Sequence, residues 1–318
     1  PRRQYILSVM AENGFISQEE KQAALDESIW VLAQEAEKQL YSWYIDEALR
    51  ESAELLGLSA DEVIQGGFKI YTAYDARLQT IADEVYADSS FFPAAASDGT
   101  PIQSAMAVVD TNNGAVLAMI GGRDYTVRRG LKRATQMRRQ TGSALKPLAV
   151  YGPALELGYT TASVLLDEKT SFGGYTPRNA GDRYYGLVTM RTAIRNSLNT
   201  TAVRLLEEIG LDASIQYLNK MGIPTRNSDR NLSLALGSMT YGVTPVELAA
   251  AYVPYANGGI YHQPYCVERI ETVDGSNVYE RKDSGKQVLS AQNAFLMTSL
   301  LQSVVSSGTG TRMLAANT

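Results

Sequence analysis

The chain has 318 residues, 45% hydrophobic and 20% charged, a composition that fits about two globular domains and excludes a mainly disordered or collagen-like chain. Its 29 Lys and Arg against 34 Asp and Glu leave a net charge of −5, the wrong sign for a dedicated nucleic-acid binder. One His, His262, and one Cys, Cys266, cannot build a zinc finger, a His-rich metal site, an iron–sulfur cluster or an intramolecular disulfide, so no metal or other cofactor is expected.

The opening Pro1-Arg2-Arg3-Gln4 leads directly into an amphipathic pattern, with neither the apolar stretch of a signal peptide nor a membrane-spanning run. With no initiating Met, the chain reads as a piece of something longer. Residues 1–66 read as helices: Ser17-Gln18-Glu19-Glu20 and Ser59-Ala60-Asp61-Glu62 both have the capping-box form, and 41–56 carries apolar residues at helical spacing. This part is expected to be a helical linker or pedestal. After Gly66-Gly67, residues 68–74 alternate as a strand, Asp75 caps a helix to about Tyr86, and 88–101 is rich in loop formers.

Two apolar runs, 105–109 and 115–120, flank Asp110-Thr111-Asn112-Asn113-Gly114 and predict a hairpin buried on both faces and covered by helices. Helices are predicted over 143–157, 189–208, 213–221, 245–256 and 290–305, with paired strands over 261–279 around Asp274-Gly275. The sum is a mixed α and β fold.

The chemistry has to come from groups other than a His triad, since no Gly-x-Ser-x-Gly elbow is present and His262 sits in a strand-like stretch suited to a structural role. A P-loop is absent too. The alternative to a His base is a Lys one turn from a Ser, and Ser143-Ala144-Leu145-Lys146 is the only Ser-x-x-Lys in the chain. The i, i+3 spacing puts hydroxyl and amine on one helix face, Gly142 permits a sharp turn, and Pro147 is tolerated in a first turn. Taken alone this is equally a helix cap followed by a surface Lys. The only Ser-x-Asn, Ser197-Leu198-Asn199, lies 54 residues on (197 − 143) and is suited to presenting two polar side chains from a turn.

The stretch from Gly121-Gly122-Arg123-Asp124-Tyr125 through Arg139-Gln140-Thr141-Gly142-Ser143-Ala144-Leu145-Lys146-Pro147 resembles the nucleophile region of class A penicillin-binding proteins, a family whose Ser-x-x-Lys set is a known motif. The resemblance continues through Tyr175-Thr176-Pro177-Arg178-Asn179, Ser197-Leu198-Asn199-Thr200-Thr201 and Leu234-Ala235-Leu236-Gly237, and covers nearly the whole chain. It implies an α+β fold with an antiparallel central sheet covered by helices and a helical subdomain. By the same resemblance residues 1–66 are a helical linker following a glycosyltransferase domain, and 67–318 are the transpeptidase domain.

Carried over by position, the resemblance implies Ser143 as acylated nucleophile and Lys146 as its general base. Ser197 would shuttle the proton to the leaving amine, and Asn199 would hydrogen-bond Lys146 and the substrate amide. The Ser143 backbone N–H would be half of an oxyanion hole. Substrates would be peptidoglycan stem peptides, β-lactams would acylate Ser143, and the enzyme would sit on the extracytoplasmic face of the cell membrane behind an upstream membrane anchor. A serine β-lactamase, a D,D-carboxypeptidase and a non-catalytic wall-binding or β-lactam-sensing domain are the other readings.

Two departures stand out. The family's Lys-Thr-Gly strand is missing: Lys169-Thr170-Ser171 is a near miss, and Gly308-Thr309-Gly310-Thr311 resembles the stretch before that motif. The segment holding Arg128, Arg129, Lys132, Arg133, Arg138 and Arg139 is strongly basic and is expected to be a solvated face.

Overall fold

The computed structural model describes residues 2–27, 42–282 and 285–317, within two compact units, Pro1–Leu40 and Tyr41–Thr318. In the first unit, α1 (Arg2–Glu12) and α2 (Gln18–Asp26) are joined by a short turn, and α2 starts at the expected capping box. Ser17 Oγ accepts from the Glu20 N–H at 3.1 Å while Glu20 Oε2 accepts from the Ser17 N–H at 2.7 Å.

The second unit begins with α3 (Trp43–Leu56) and α4 (Ala60–Gln65), the latter opened by the Ser59 and Glu62 box. Then come β1 (Lys69–Thr72), α5 (Ala76–Ala87, capped by Asp75), β2 (Met106–Val109) and β3 (Val116–Ile120). Short α6 (Arg133–Gln136) precedes the turn that holds Ser143, which runs into α7 (Gly152–Glu156). Beyond it lie β4 (Val164–Asp167), β5 (Gly186–Thr189), α8 (Met190–Arg195), α9 (Asn199–Ile209), α10 (Leu211–Lys220) and α11 (Pro245–Ala256). The last elements are β6 (Ile260–Tyr261), β7 (Val267–Glu271), β8 (Asn277–Glu280), β9 (Lys286–Gln287) and α12 (Ala291–Ser307).

All named strand pairs are antiparallel, in the order β1-β7-β8 for the largest sheet, with β2-β3, β4-β5 and β6-β9 as two-stranded pairs. The expected hairpin forms with Met106 opposite Ile120. It joins the larger sheet at its base, where the Val116 N–H donates to the Tyr265 carbonyl at 2.7 Å and the Asp75 N–H, just beyond β1, to that of Leu117 at 2.9 Å. This is the expected α+β architecture, an antiparallel sheet covered by helices, with the sheet divided rather than continuous among the described residues.

Two large hydrophobic cores follow, beside a small cluster of Trp43, Ala82 and Ile120. One is built on the sheet from Tyr44, Val116, Met119, Val267 and Ile270. The other is almost wholly helical, from Leu145, Leu148, Met190, Leu205 and Leu218 among others, and is the expected helical subdomain. Residues 43–65, grouped with the linker on sequence grounds, fold within the second unit. Tyr44 of α3 is buried in the sheet core and its hydroxyl donates to the Val116 carbonyl at 2.7 Å.

Two predicted helices are broken in the structure, the one over 143–157 and the one over 189–208, and both breaks carry residues of the site. The strand β2 pairs on one side only among the described residues. Its other side faces a groove of about 900 Å³ lined by residues including Ile102, Met106, Met137, Val243, Leu248 and Tyr252. Among the described residues no helix is long and apolar enough to cross a membrane.

Candidate active site

Residues 143–156 stay right-handed while the helix changes pitch twice, as a 3₁₀ turn over Gly142–Leu145, a π turn over Pro147–Tyr151, and then α7. The cause is in the sequence: Pro147 and Pro153 have no N–H, so the regular ladder cannot form across them. The Lys146 N–H reaches the Ser143 carbonyl three residues back, and the Gly152 N–H reaches Pro147 five back.

Hydroxyls from elsewhere meet carbonyls along this stretch, the Pro147 carbonyl accepting from one of them as well as from the Gly152 N–H. Tyr252 Oη donates to the Ala144 carbonyl at 2.6 Å, Tyr255 Oη to that of Pro147 at 2.9 Å, and Ser214 Oγ to that of Ala149 at 2.6 Å. The Ala149 carbonyl is the one that an N–H at Pro153 would have filled. At the start, Gly142 has φ +57°, and Gly237 packs so closely that a Cβ there would lie 2.1 Å from the Gly142 carbonyl oxygen.

A 3₁₀ turn eclipses positions i and i+3, so Ser143 and Lys146 leave the helix on one side. Ser143 is exposed, and its hydroxyl makes no hydrogen bond among the described residues. Lys146 is 2% exposed.

The second break separates α8 from α9. The Ser197 N–H donates to Ile194 and the Leu198 N–H to Ala193, each at 3.0 Å, which is a Schellman ending for α8 with Ser197 in the left-handed position usually held by Gly. Its φ is +54°, a conformation costing a non-glycine residue about 1–2 kcal/mol. The turn points two carbonyls and a hydroxyl at one spot. Lys146 Nζ lies there, 2.6 Å from the Ser197 carbonyl, 3.0 Å from Ser197 Oγ, 3.2 Å from the Leu198 carbonyl and 2.6 Å from Asn199 Oδ1. An ammonium has three hydrogens for these four acceptors, so the contacts are shared. Burial lowers the Lys146 pKa to about 8.

Asn199 is the first residue of α9, and its Nδ2 donates to the Arg178 carbonyl at 2.7 Å. Thus the structure brings Lys146, Ser197 and Asn199 into one hydrogen-bonded group and puts Ser143 on the same helix face without a direct bond to Lys146. A lysine that gives up its proton near neutrality, beside an exposed serine and a second serine within hydrogen-bond reach, is equipped for nucleophile activation and proton relay.

Other residues differ from expectation or were not singled out. The basic segment is a solvated face at Arg128, Arg129, Arg138 and Arg139, which are exposed, Arg129 pairing with Asp61 at 2.7 Å and Arg138 with Glu247; the exception is Lys132, buried with Glu47 at 3.8 Å. His262 is buried against Gly114 and Gly285 beside the first hairpin, and Cys266 is buried at the start of β7. Thr170 of the Lys-Thr-Ser near miss accepts from Arg204 at 2.9 Å. Tyr252, Tyr255 and Ser214 escaped sequence reading because nothing local to them signals a carbonyl waiting in another helix. For the two tyrosines the only trace is their i, i+3 spacing on α11.

Residues 104–317 match the family profile described as "Penicillin binding protein transpeptidase domain". Penicillin-binding protein 1F of Bacillus subtilis is 39% identical over 314 residues, covering 98% of this chain and 43% of that protein. Penicillin-binding protein 1A of Clostridium botulinum is 33% identical over 339 residues, covering 97% and 41%. The crystal structure of penicillin-binding protein 1A from Haemophilus influenzae superposes with a TM-score of 0.74 at 23% identity, covering 98% of this chain and 65% of that one. PonA1 of Mycobacterium tuberculosis in complex with penicillin V gives 0.70 at 24%, covering 82% and 70%. These two solved structures speak for the fold alone. The chain belongs to the penicillin-binding protein transpeptidase domain family. It spans about two fifths of the length of the curated relatives it matches.

Proposed function

We propose that these residues are the acyl-transfer part of a serine D,D-transpeptidase that cross-links peptidoglycan stem peptides. The observation that carries this reading is the buried Lys146 amine, lowered to a pKa of about 8 and gathered by Ser197 and Asn199 one turn from an exposed serine. In the first step neutral Lys146 takes the proton of Ser143 Oγ as the oxygen attacks the carbonyl of the penultimate D-Ala of a donor stem. Lys146 returns that proton through Ser197 Oγ to the departing D-Ala amine, leaving an ester on Ser143. An acceptor-strand amine then attacks the ester, loses its proton along the same path, and frees Ser143. The Ser143 N–H is one donor to the developing oxyanion. Asn199 holds Lys146 and would meet the substrate amide.

The reading extends to the open side of β2, which we ascribe to a further strand that carries a Lys-Thr-Gly motif, anchors the substrate carboxylate and supplies the second oxyanion donor. An upstream membrane anchor and glycosyltransferase domain, and a place on the extracytoplasmic face of the cell membrane, belong to the same proposal. So does reaction of Ser143 with β-lactams, which mimic the scissile amide. Intact-mass analysis and peptide mapping after incubation with labelled penicillin test it: an adduct on Ser143 is expected, and an adduct on another serine would overturn the assignment. Release of that adduct to water within seconds would favour a β-lactamase.

A further inference from the structure

Asp167, the last residue of β4, is a fully buried carboxylate and forms no ion pair among the described residues. A buried charge without a counter-charge is costly unless hydrogen bonds fill its lone pairs. Here they do. The Tyr185 N–H donates to Oδ2 at 2.9 Å, Asn179 Nδ2 donates to Oδ1 at 2.7 Å, and Thr200 Oγ1 donates to the same Oδ1.

Asn179 uses every valence of its amide. Its Nδ2 donates to Asp167 and to the Arg183 carbonyl at 2.9 Å, while its Oδ1 accepts from the N–H of Asn199 at 2.7 Å and of Thr200 at 3.2 Å. Those are the first amides of α9, whose own cap residue, Leu198, has no side chain to offer them. The neighbouring Arg178 carbonyl accepts from Asn199 Nδ2. Residues 178–179 therefore grip Asn199 by both backbone and side chain, and the remaining oxygen of that side chain is the one 2.6 Å from Lys146 Nζ.

We infer that Asn179 and Asp167 are positioning residues for the acyl-transfer step: Asn179 caps α9 from a separate loop, Asp167 fixes which way its amide faces, and together they hold Asn199 against Lys146. The inference rests on the function proposed above. A misplacement of about 1 Å at a reacting group is worth up to about 10²-fold in rate, so a small swing of Asn199 is enough to matter.

The experiment is a double-mutant cycle in the full chain, reading the rate at which a fluorescent penicillin acylates Ser143 per folded molecule. Asn179→Ala and Asn199→Ala are each expected to slow acylation by about 10- to 100-fold. If Asn179 acts through Asn199, the double variant is slower than Asn199→Ala by no more than about twofold. By the same logic Asp167→Asn adds no more than about twofold to Asn179→Ala. Effects that multiply in the first cycle would overturn the positioning role of Asn179, and in the second that of Asp167. Should Asn179→Ala not fold, Asn179→Ser, which keeps one oxygen for the α9 amides, takes its place in both cycles. A wild-type chain that takes no penicillin on Ser143 overturns the proposed function and this inference with it; one that acylates normally while the effects multiply overturns the inference alone.

Discussion

Helices α11 and α9 solve the same problem in opposite ways. The first amides of α11 are met by their own neighbourhood: Thr244 Oγ1 accepts from the Glu247 N–H at 3.2 Å and Glu247 Oε2 accepts from the Thr244 N–H at 2.9 Å. The first amides of α9 are met by Asn179, 20 residues upstream of Asn199. A cap made from adjacent residues secures one helix. A cap made from a distant loop secures a geometry, because it ties the start of α9 to whatever else that loop touches. The nucleophile turn follows the second pattern, with its carbonyls held by Tyr252, Tyr255 and Ser214. Both halves of the site are irregular backbone held from afar, whereas the supporting helices are capped from within.

Perturbing the two kinds of position should therefore separate chemistry from stability. The largest effect is expected from Ser143→Ala, which removes an exposed hydroxyl that has no hydrogen-bond partner among the described residues: acylation should fall by up to about 10⁶-fold, with the thermal midpoint unmoved within a degree or two. Next, Lys146→Arg should be nearly as damaging as Lys146→Ala, because a guanidinium keeps its proton at any working pH. A normal penicillin acylation rate in the Arg variant would remove Lys146 from the role of base.

Proton dependence is the next smaller lever. Since the Lys146 pKa is lowered to about 8 and the free base is the active form, acylation should rise about tenfold per pH unit below that value and level above it. Stability should move the same way at higher pH. Between about 8 and the unfolded value near 10.4 the unfolded chain binds the extra proton, so raising the pH through that window favours the folded state. The smallest effect is expected at the locally capped helix: Thr244→Ala should cost about 1 kcal/mol of stability, read as a lower thermal midpoint.

This contrast also explains what was legible in the sequence. Both capping boxes at Ser17 and Ser59, the hairpin at Asn113-Gly114 and the bounds of α11 could be read because each is decided by residues within a few positions of one another. Ser143, Lys146, Ser197 and Asn199 stood out by motif and resemblance. The break at Ser197 was legible only in part: Ser197-Leu198-Asn199 suited a turn, yet 189–208 keeps helical periodicity, and the non-glycine residue at φ +54° marks the interruption. Asp167 was invisible for a similar reason: nothing in Val164-Leu165-Leu166-Asp167 tells that the carboxylate is buried and that Asn179 and Thr200 will meet it. Lys132 looked like a surface cation because its partner, Glu47, lies 85 residues earlier (132 − 47).

The unpaired side of β2 has a practical consequence for anyone handling these residues. An apolar strand whose amides and carbonyls along one margin meet no other strand among the described residues is a template for any other extended chain, including another molecule of the same protein. Solutions of residues 1–318 should therefore associate as concentration rises, by β-pairing along Met106–Val109, with growth in light scattering and in the β-sheet signature of infrared spectra.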